Sequence, residues 1–297
     1  MTRGLELQEA RAVAVSVNGS GQVAARAVVD SGADLAAAAQ SALHQVSAAA
    51  APDSALGVAS ALPESFAIAP VLDAIAKRYP GSYTQSGATP SGTAAAVGEA
   101  WIGAGRDVQD LVYFAVGDHS TAGIIRSGAP VTGSRGRAAS VAWLALNPVE
   151  REDYRKMGCL EAEVAAAGIV RRLIWRIKSG DRSRIQETVE NDLSRITVDH
   201  VLNAARNRDG VSISVVRDTA KYLGMAAANL VVIADPDMLV LGGIMASAAD
   251  LLLQPLRTEI ARRLPRAMMD ALVIVPAALG DEAPAVGAAR LAAAALQ

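Results

Sequence analysis

The C-terminal stretch from Ser212 onwards constrains the fold of this 297-residue chain most strongly. A long apolar helix pattern is followed by a buried strand that ends in Gly242 and Gly243, then by an amphipathic helix and a Gly/Ala-rich terminal helix. Strand and helix patterns also alternate upstream. Because alternating helices and strands typically enclose a central sheet, the sequence predicts an α/β protein.

Length and composition narrow the class of protein further. The chain is too long for one typical core and suits two lobes. It is 52% hydrophobic but only 3% aromatic, which favours aliphatic helix-on-sheet packing, and its net charge of -2 gives no electrostatic argument for nucleic-acid binding. The single cysteine excludes an internal disulfide. Without a signal-like N-terminus or an apolar run of about 20 residues, we expect a cytoplasmic protein with no membrane partner.

Local patterns predict the individual elements. In the first half they indicate a hairpin whose strands are residues 11–17 and 22–29. They also indicate helices at 34–48, 70–79 and 91–103, and buried strands at 56–61 and 111–116. Ser91 or Thr93 is placed to cap the third helix. A loop is predicted at 117–123, and later helices at 158–178, 199–206 (capped by Thr197) and 212–233.

Several segments resemble the ROK family, the sugar kinases and sugar-responsive repressors of the actin-like ATPase superfamily. They read VVIADPDMLVLGG, LGDEAPAVGAA, GCLEA and TAAAVGEAW. The resemblance implies a two-lobed actin-like ATPase (ribonuclease H-like) fold, with an N-terminal lobe at 1–100 and a C-terminal lobe at 101–281. The final helix, about 282–297, would pack back on the first lobe. It also implies a homodimer and places Gly242 and Gly243 at the cleft, against the adenosine of ATP.

The family's catalytic base is missing from its usual position. Family kinases supply it as the Asp of an Asn-Asp-x-Asn-Ala-Ala-x-x-Gly-Glu motif, and the matching block here, PSGTAAAVGE, places Ser91 there. A serine hydroxyl with no neighbouring base in the sequence is too weak to replace a carboxylate. The alternative interpretation of Ser91 is a helix N-cap and nothing more.

The two phosphate-binding turns of the family are also altered. Over the first, GLELQEAR places Glu6 at the usual Asp and puts side chains, including Gln8 and Glu9, at the glycine positions. Side chains there obstruct close approach of a phosphate, and the Glu9 carboxylate repels it.

The second turn reads GDHSTAG, which keeps Gly117 and Gly123 but gains Asp118, a further repulsive charge. His119 is an ionisable side chain that the family's version of this turn lacks. Paired with Asp118, it could be a general base, a ligand contact or part of a capped turn.

The sugar and zinc motifs are degraded in the same way. Ser140 and Trp143 stand where the family has a sugar-binding Glu and a His shared between sugar and zinc, whereas the sugar-contacting acid Glu161 is retained. The other zinc positions hold Glu152, Tyr154 and the single thiol of Cys159. One thiol cannot hold a structural zinc, so we expect no zinc and interpret Cys159 as a buried small residue rather than a reactive thiol.

Fold-determining residues therefore match the family, whereas the residues for phosphate, sugar and metal are replaced. We predict a noncatalytic, sugar-like small-molecule binding or regulatory protein without a cofactor. The alternative is a divergent, glucokinase-like kinase that uses ATP with magnesium and takes Asp118 or another acid as its base. A third hypothesis is a ROK-type transcriptional regulator. Repressors of the family carry a winged-helix DNA-binding segment before the first strand, and only about ten residues precede the first predicted strand here, so such a regulator would lack that segment.

Overall fold

The computed structural model describes residues 1–48, 54–62, 68–80 and 87–295. Within these ranges the chain forms strands β1 to β10, which are Thr2–Leu7, Arg11–Val17, Val23–Asp30, Leu56–Ser60, Thr89–Pro90, Leu111–Val116, Ser120–Arg126, Ala129–Pro130, Met238–Gly243 and Val273–Pro276. The helices α1 to α13 are Leu35–Ser47, Ala69–Arg78, Ser91–Ile102, Glu152–Met157, Cys159–Val164, Ala166–Lys178, Ile185–Thr188, Val198–Arg206, Gly210–Ala234, Ile244–Ser247, Ala249–Ala261, Arg266–Ala271 and Ala283–Ala295.

In the part of the chain that the structure describes, the strands form two five-stranded sheets. The first has the order β3-β2-β1-β4-β5, with β1 antiparallel to β2 and parallel to β4. The second has the order β10-β9-β6-β7-β8, with β6 antiparallel to β7 and parallel to β9. Both sheets are therefore mixed, and we call the halves built on them the first and second lobes. This confirms the predicted two-lobed α/β fold.

Helices α3 and α13 form a layer between the two sheets. α13 packs on β1 and β4 of the first sheet and crosses α3, which in turn packs on β6 and β7 of the second. The crossing is close because Gly287 has no side chain; a Cβ atom there would lie 1.6 Å from the carbonyl oxygen of Ala94. The last helix thus packs on the first sheet, while α3, predicted with the N-terminal lobe, also contacts the second.

The cores of both lobes are aliphatic, as the low aromatic content requires. In the first lobe, α1 and α2 cover the sheet with buried side chains such as Leu43 and Ile75. In the second, the long helix α9 packs against α11 and α8, and its fully buried Leu223 belongs to the same cluster as Phe114 of β6. No helix among the described residues is both long and apolar enough to cross a membrane.

Most predicted elements are confirmed, including the hairpin, α1, α2 and the Thr197 cap of α8, where His200 completes a capping box. Three predictions about the extent of these elements were wrong. The first strand begins at Thr2, not after about ten residues. The loop after β6 has three residues instead of seven, because β7 already starts at Ser120. The helix predicted at 158–178 is broken at Ala165, whose backbone is extended.

Candidate functional site

The cleft between the lobes lies at the carboxyl ends of strands from both sheets. β1 ends at Leu7, β6 at Val116 and β9 at Gly243, and ligands of α/β proteins commonly bind at such ends. The cavity has a volume of about 440 Å³. Its described lining includes the following polar and turn residues: Glu6, Gln8, Glu9, Arg11, Ser91, Gly117, Asp118, His119, Asp199, Gly243 and Asp281.

Ser91 does not cap its helix. The N-cap of α3 is Pro90 and no side chain caps this end, so the predicted cap by Ser91 or Thr93 was wrong. The hydroxyl of Ser91 instead donates a hydrogen bond of 2.7 Å to Oε1 of Glu6, across the cleft floor from β1. The fold therefore supplies a carboxylate next to the position where the sequence shows no base.

Glu6 is almost fully buried, with 4% of its surface exposed. Burial raises its pKa to about 7, because the charged carboxylate loses hydration, and the hydrogen bonds from Ser91 and Gln8 only partly offset this loss. Nε2 of Gln8 donates to the second carboxylate oxygen at 2.9 Å. At neutral pH the carboxyl therefore exchanges a proton readily, as a general acid or base requires.

Side chains cross-link the first turn, between β1 and β2. Nε of Arg11 donates to Gln8 at 2.7 Å, and its guanidinium pairs with Asp281 at 2.8 Å, which ties the turn to the segment before α13. Glu9 is exposed and lines the cleft. The first turn thus presents an amide and a carboxylate to the cleft.

The residues of the second turn are separated by the short loop. Gly117 and Asp118 line the cleft, whereas Gly123 lies within β7 and packs against Gly92 at the start of α3. Gly243 also lines the cleft, with a positive φ of 59°, and a Cβ there would lie 2.0 Å from the carbonyl oxygen of Val116. Gly242 is in β9, packed against the hydroxyl of Tyr113.

His119 pairs with Glu161 instead of Asp118. Its Nδ1 lies 3.1 Å from Oε1 of Glu161, and the backbone N–H of Ser120 donates to Oε2 at 2.8 Å. The hydrogen bond to the carboxylate raises the pKa of His119 despite partial burial. The other ring nitrogen, Nε2, is buried and has no hydrogen-bond partner among the described residues. This free nitrogen belongs to a side chain that lines the cleft.

Ser140 and Trp143 are not among the described residues that line the cleft. Ser140 is exposed, and its hydroxyl donates to the backbone carbonyl of Arg137 at 2.7 Å. Trp143 exposes 58% of its surface. Of the three predicted sugar contacts, only Glu161 is connected to the cleft, through His119.

The residues at the family's zinc positions do not fit the metal. The described residues contain no cluster of three or more His, Cys, Asp or Glu side chains suited to hold a metal ion. Cys159 is buried against Tyr154. The phenol of Tyr154 donates to the carboxylate of Glu163, and burial together with this bond raises its pKa to about 12, so it stays protonated. Glu152 is exposed and pairs with Lys156.

The charge of the cleft is predominantly negative. In the described lining five carboxyl groups, those of Glu6, Glu9, Asp118, Asp199 and Asp281, face one guanidinium and one imidazole. Sequence reasoning missed the contributions of Asp199 and Asp281. Both follow local signals, because Asp199 lies in the first turn of α8 and Asp281 in the LGDEA block.

Two mixed sheets that enclose a cleft, with the last helix returning to the first sheet, define a two-lobed α/β protein of the actin-like ATPase type. The ROK family model matches residues 89–295, and the chain belongs to the ROK family.

Its relatives include both kinases and repressors. A glucokinase of Halalkalibacterium halodurans is 31% identical over 196 residues, which cover 65% of this chain and 59% of the relative. A putative xylose repressor of Caldicellulosiruptor sp. is 30% identical over 175 residues, covering 57% and 42%. The chain therefore spans about half the length of these curated relatives.

The fold is shared with a solved structure of a ROK family glucokinase from Streptomyces griseus, in complex with glucose and AMPPNP. It has a TM-score of 0.80, 23% identity and 99% coverage of both chains.

Proposed function

We propose that this protein binds a neutral, sugar-like ligand in the cleft and serves as a binding or regulatory protein that does not phosphorylate the ligand with ATP. The observation that carries the proposal is the lining of the cleft, in which carboxyl groups outnumber cationic groups and side chains occupy the first phosphate turn.

A nucleotide triphosphate fits this cleft poorly. Its phosphates would lie beside Glu9 and Asp118, and the nearest guanidinium, that of Arg11, is already paired with Asp281. In the partly buried cleft the repulsion between like charges is weakly screened. The protein therefore pays a large electrostatic penalty for binding ATP through its own side chains.

A sugar meets no such penalty. Its hydroxyl groups donate hydrogen bonds, and the carboxyl groups of the cleft accept them. Nε2 of His119 is held in a fixed position by the Nδ1 contact with Glu161 and is available for one more hydrogen bond. A buried nitrogen without a partner costs free energy, which a ligand hydroxyl would recover.

Isothermal titration calorimetry tests this proposal. We expect glucose or N-acetylglucosamine to bind and AMPPNP to give no heat of binding. His119→Ala should weaken sugar binding at least tenfold, whereas His44→Ala, at an exposed position of α1, should leave it unchanged. Binding of AMPPNP without binding of any sugar would contradict the proposal.

The pair formed by Glu6 and Ser91 favours a second candidate, a divergent sugar kinase. A carboxyl with a pKa of about 7 lies 2.7 Å from the hydroxyl at the usual base position, and it could accept a proton from a sugar hydroxyl. Loss of such a base costs about 10² to 10⁴ in rate. ATP-dependent phosphorylation of glucose, mannose or an N-acetylhexosamine that disappears in Glu6→Gln or Asp118→Asn would establish this candidate.

Under our preferred proposal the unmodified protein shows no such turnover. Ser91→Asp does not create it, because the phosphate turns remain altered.

We further infer a cytoplasmic homodimer that does not contact nucleic acid. Two tryptophans of the second lobe support self-association, because Trp143 and Trp175 expose 58% and 65% of their surfaces. Contact with a second copy of the chain would remove these two large apolar side chains from water. Sedimentation velocity at micromolar concentration should show twice the 30.5 kDa chain mass, and a purely monomeric species would refute the dimer.

A further inference from the structure

A second cavity opens beside the cleft in the first lobe. We call it the side pocket; its volume is about 430 Å³. It lies between the ends of β1 and β4 and the starts of α1 and α2. Its described wall is mainly aliphatic: Leu7, Ala33, Leu35, Ala36, Ala61, Leu62, Ile68, Pro70 and Val71. A cavity of this size and composition is typical of small-molecule sites.

The side pocket and the cleft share part of their lining. Gln8, Glu9, Ala61 and His119 border both cavities. A ligand whose polar part occupies the cleft can therefore extend past these residues into the side pocket. The unpartnered Nε2 of His119 belongs to a residue at this boundary, where a polar atom of the ligand would meet it.

Two further polar side chains of the described wall already take part in hydrogen bonds. Oδ1 of Asp34 accepts a hydrogen bond of 2.9 Å from the backbone N–H of Ala37 and so caps α1. The hydroxyl of Ser60 accepts one of 3.2 Å from the backbone N–H of Leu62. Apart from these two groups and the shared residues Gln8, Glu9 and His119, the described wall is aliphatic surface, which a sugar ring with its many hydroxyl groups would not match.

These observations point to one ligand that spans both cavities. We propose that the protein recognises a glycoside, with the sugar in the cleft and a hydrophobic aglycone in the side pocket. This inference rests on the proposed function, since it assigns the ligand class of the same site. A free sugar would leave the side pocket unfilled, whereas an aromatic or alkyl aglycone would bury apolar surface against it.

Matched pairs of glycosides test the inference by calorimetry. The probes are the phenyl and methyl glycosides, in both anomers, of glucose and N-acetylglucosamine. For at least one pair we expect the phenyl glycoside to bind tenfold or more tightly than the methyl glycoside, a difference of about 1.4 kcal/mol.

Two variants of α1 form the structural control. Ala36→Phe fills the side pocket and should remove the preference for the phenyl glycoside while methyl glycoside binding persists. Ala37→Phe makes the same change at the adjacent exposed position, which is not part of the described lining, and should leave the preference intact. Thermal melting checks that both variants are folded. If Ala36→Phe does not fold, the ratio of the phenyl and methyl glycoside affinities of the unmodified protein still tests the inference.

The outcomes separate the two proposals. Equal affinities within every pair overturn the glycoside inference and leave sugar binding in place. Equal loss of both members of a pair in Ala36→Phe also overturns it. No binding of any probe overturns both the inference and the proposed function.

Discussion

The Glu6 carboxyl makes the stability of the fold depend on pH, and a single substitution should remove this dependence. Below pH 4.5 the carboxyl is protonated in both the folded and the unfolded chain. Between 4.5 and about 7 it ionises in the unfolded chain, whereas the folded protein still holds the proton. Because the folded state then binds more protons, its stability falls as pH rises, and the loss is complete above pH 7.

The size of the effect follows from the two pKa values. The difference between 4.5 and about 7, at 1.36 kcal/mol for each pH unit, amounts to about 3 kcal/mol. Between pH 5 and pH 8, ionisation of Glu6 should lower the free energy of unfolding by about 2 to 3 kcal/mol. Glu6→Gln keeps the shape of the side chain and its acceptor for Ser91, but it has no charge to bury. Its new amide opposes the amide of Gln8, at a cost of about 1 kcal/mol that does not vary with pH.

Urea unfolding at pH 5, 6, 7 and 8, followed by circular dichroism, measures the effect. The free energy of unfolding of Glu6→Gln, relative to the unmodified protein, should rise by about 2 to 3 kcal/mol across this range. Glu9→Gln removes the same charge from an exposed side chain of the same turn, and it should show no such trend. A difference for Glu6→Gln that stays flat or falls with pH would refute the buried, proton-holding carboxyl.

Three further outcomes are expected. Elemental analysis of purified protein should find no stoichiometric zinc, because Cys159 is the single thiol and the phenol of Tyr154 stays protonated; one zinc per chain would refute this assignment. Gly287→Ala should lower the free energy of unfolding by about 1 to 3 kcal/mol or more, because the new methyl group meets the backbone of α3; an unchanged urea midpoint would contradict the close crossing. Glu161→Gln should lower the pKa of His119 in an NMR titration, with the two other histidines as internal references, and an unmoved titration would show that the carboxylate does not set it.

The elements of the fold could be predicted where their signals are local. Thr197 lies directly before the helix that it caps, and residues 18–21 form a tight turn between two β-rich runs. β1 was missed because its six residues, TRGLEL, contain two charges and a glycine. Its burial comes from pairing with β2 on one side and β4 on the other, which no local pattern reports.

The candidate site could be predicted only in part, because its key contacts join distant segments. Ser91 and Glu6 are 85 residues apart in the chain, and His119 and Glu161 are 42 apart. Comparison with family motifs placed each residue near the cleft, but it could not show which side chains pair. Ser91 was therefore interpreted as a cap, and His119 was paired with the neighbouring Asp118 instead of Glu161.

The return of α13 to β1 and β4 has a consequence for folding during synthesis. At about 5 to 20 residues per second, roughly 10 to 50 seconds separate translation of β4 from translation of α13. Throughout that interval the side of the sheet that α13 covers, where Gly57 and Ala59 of β4 lie in the finished protein, has no partner helix. The strands of the N-terminal sheet can therefore pair while the chain is still on the ribosome, but one side of that sheet stays open to chaperones until the last helix has been made.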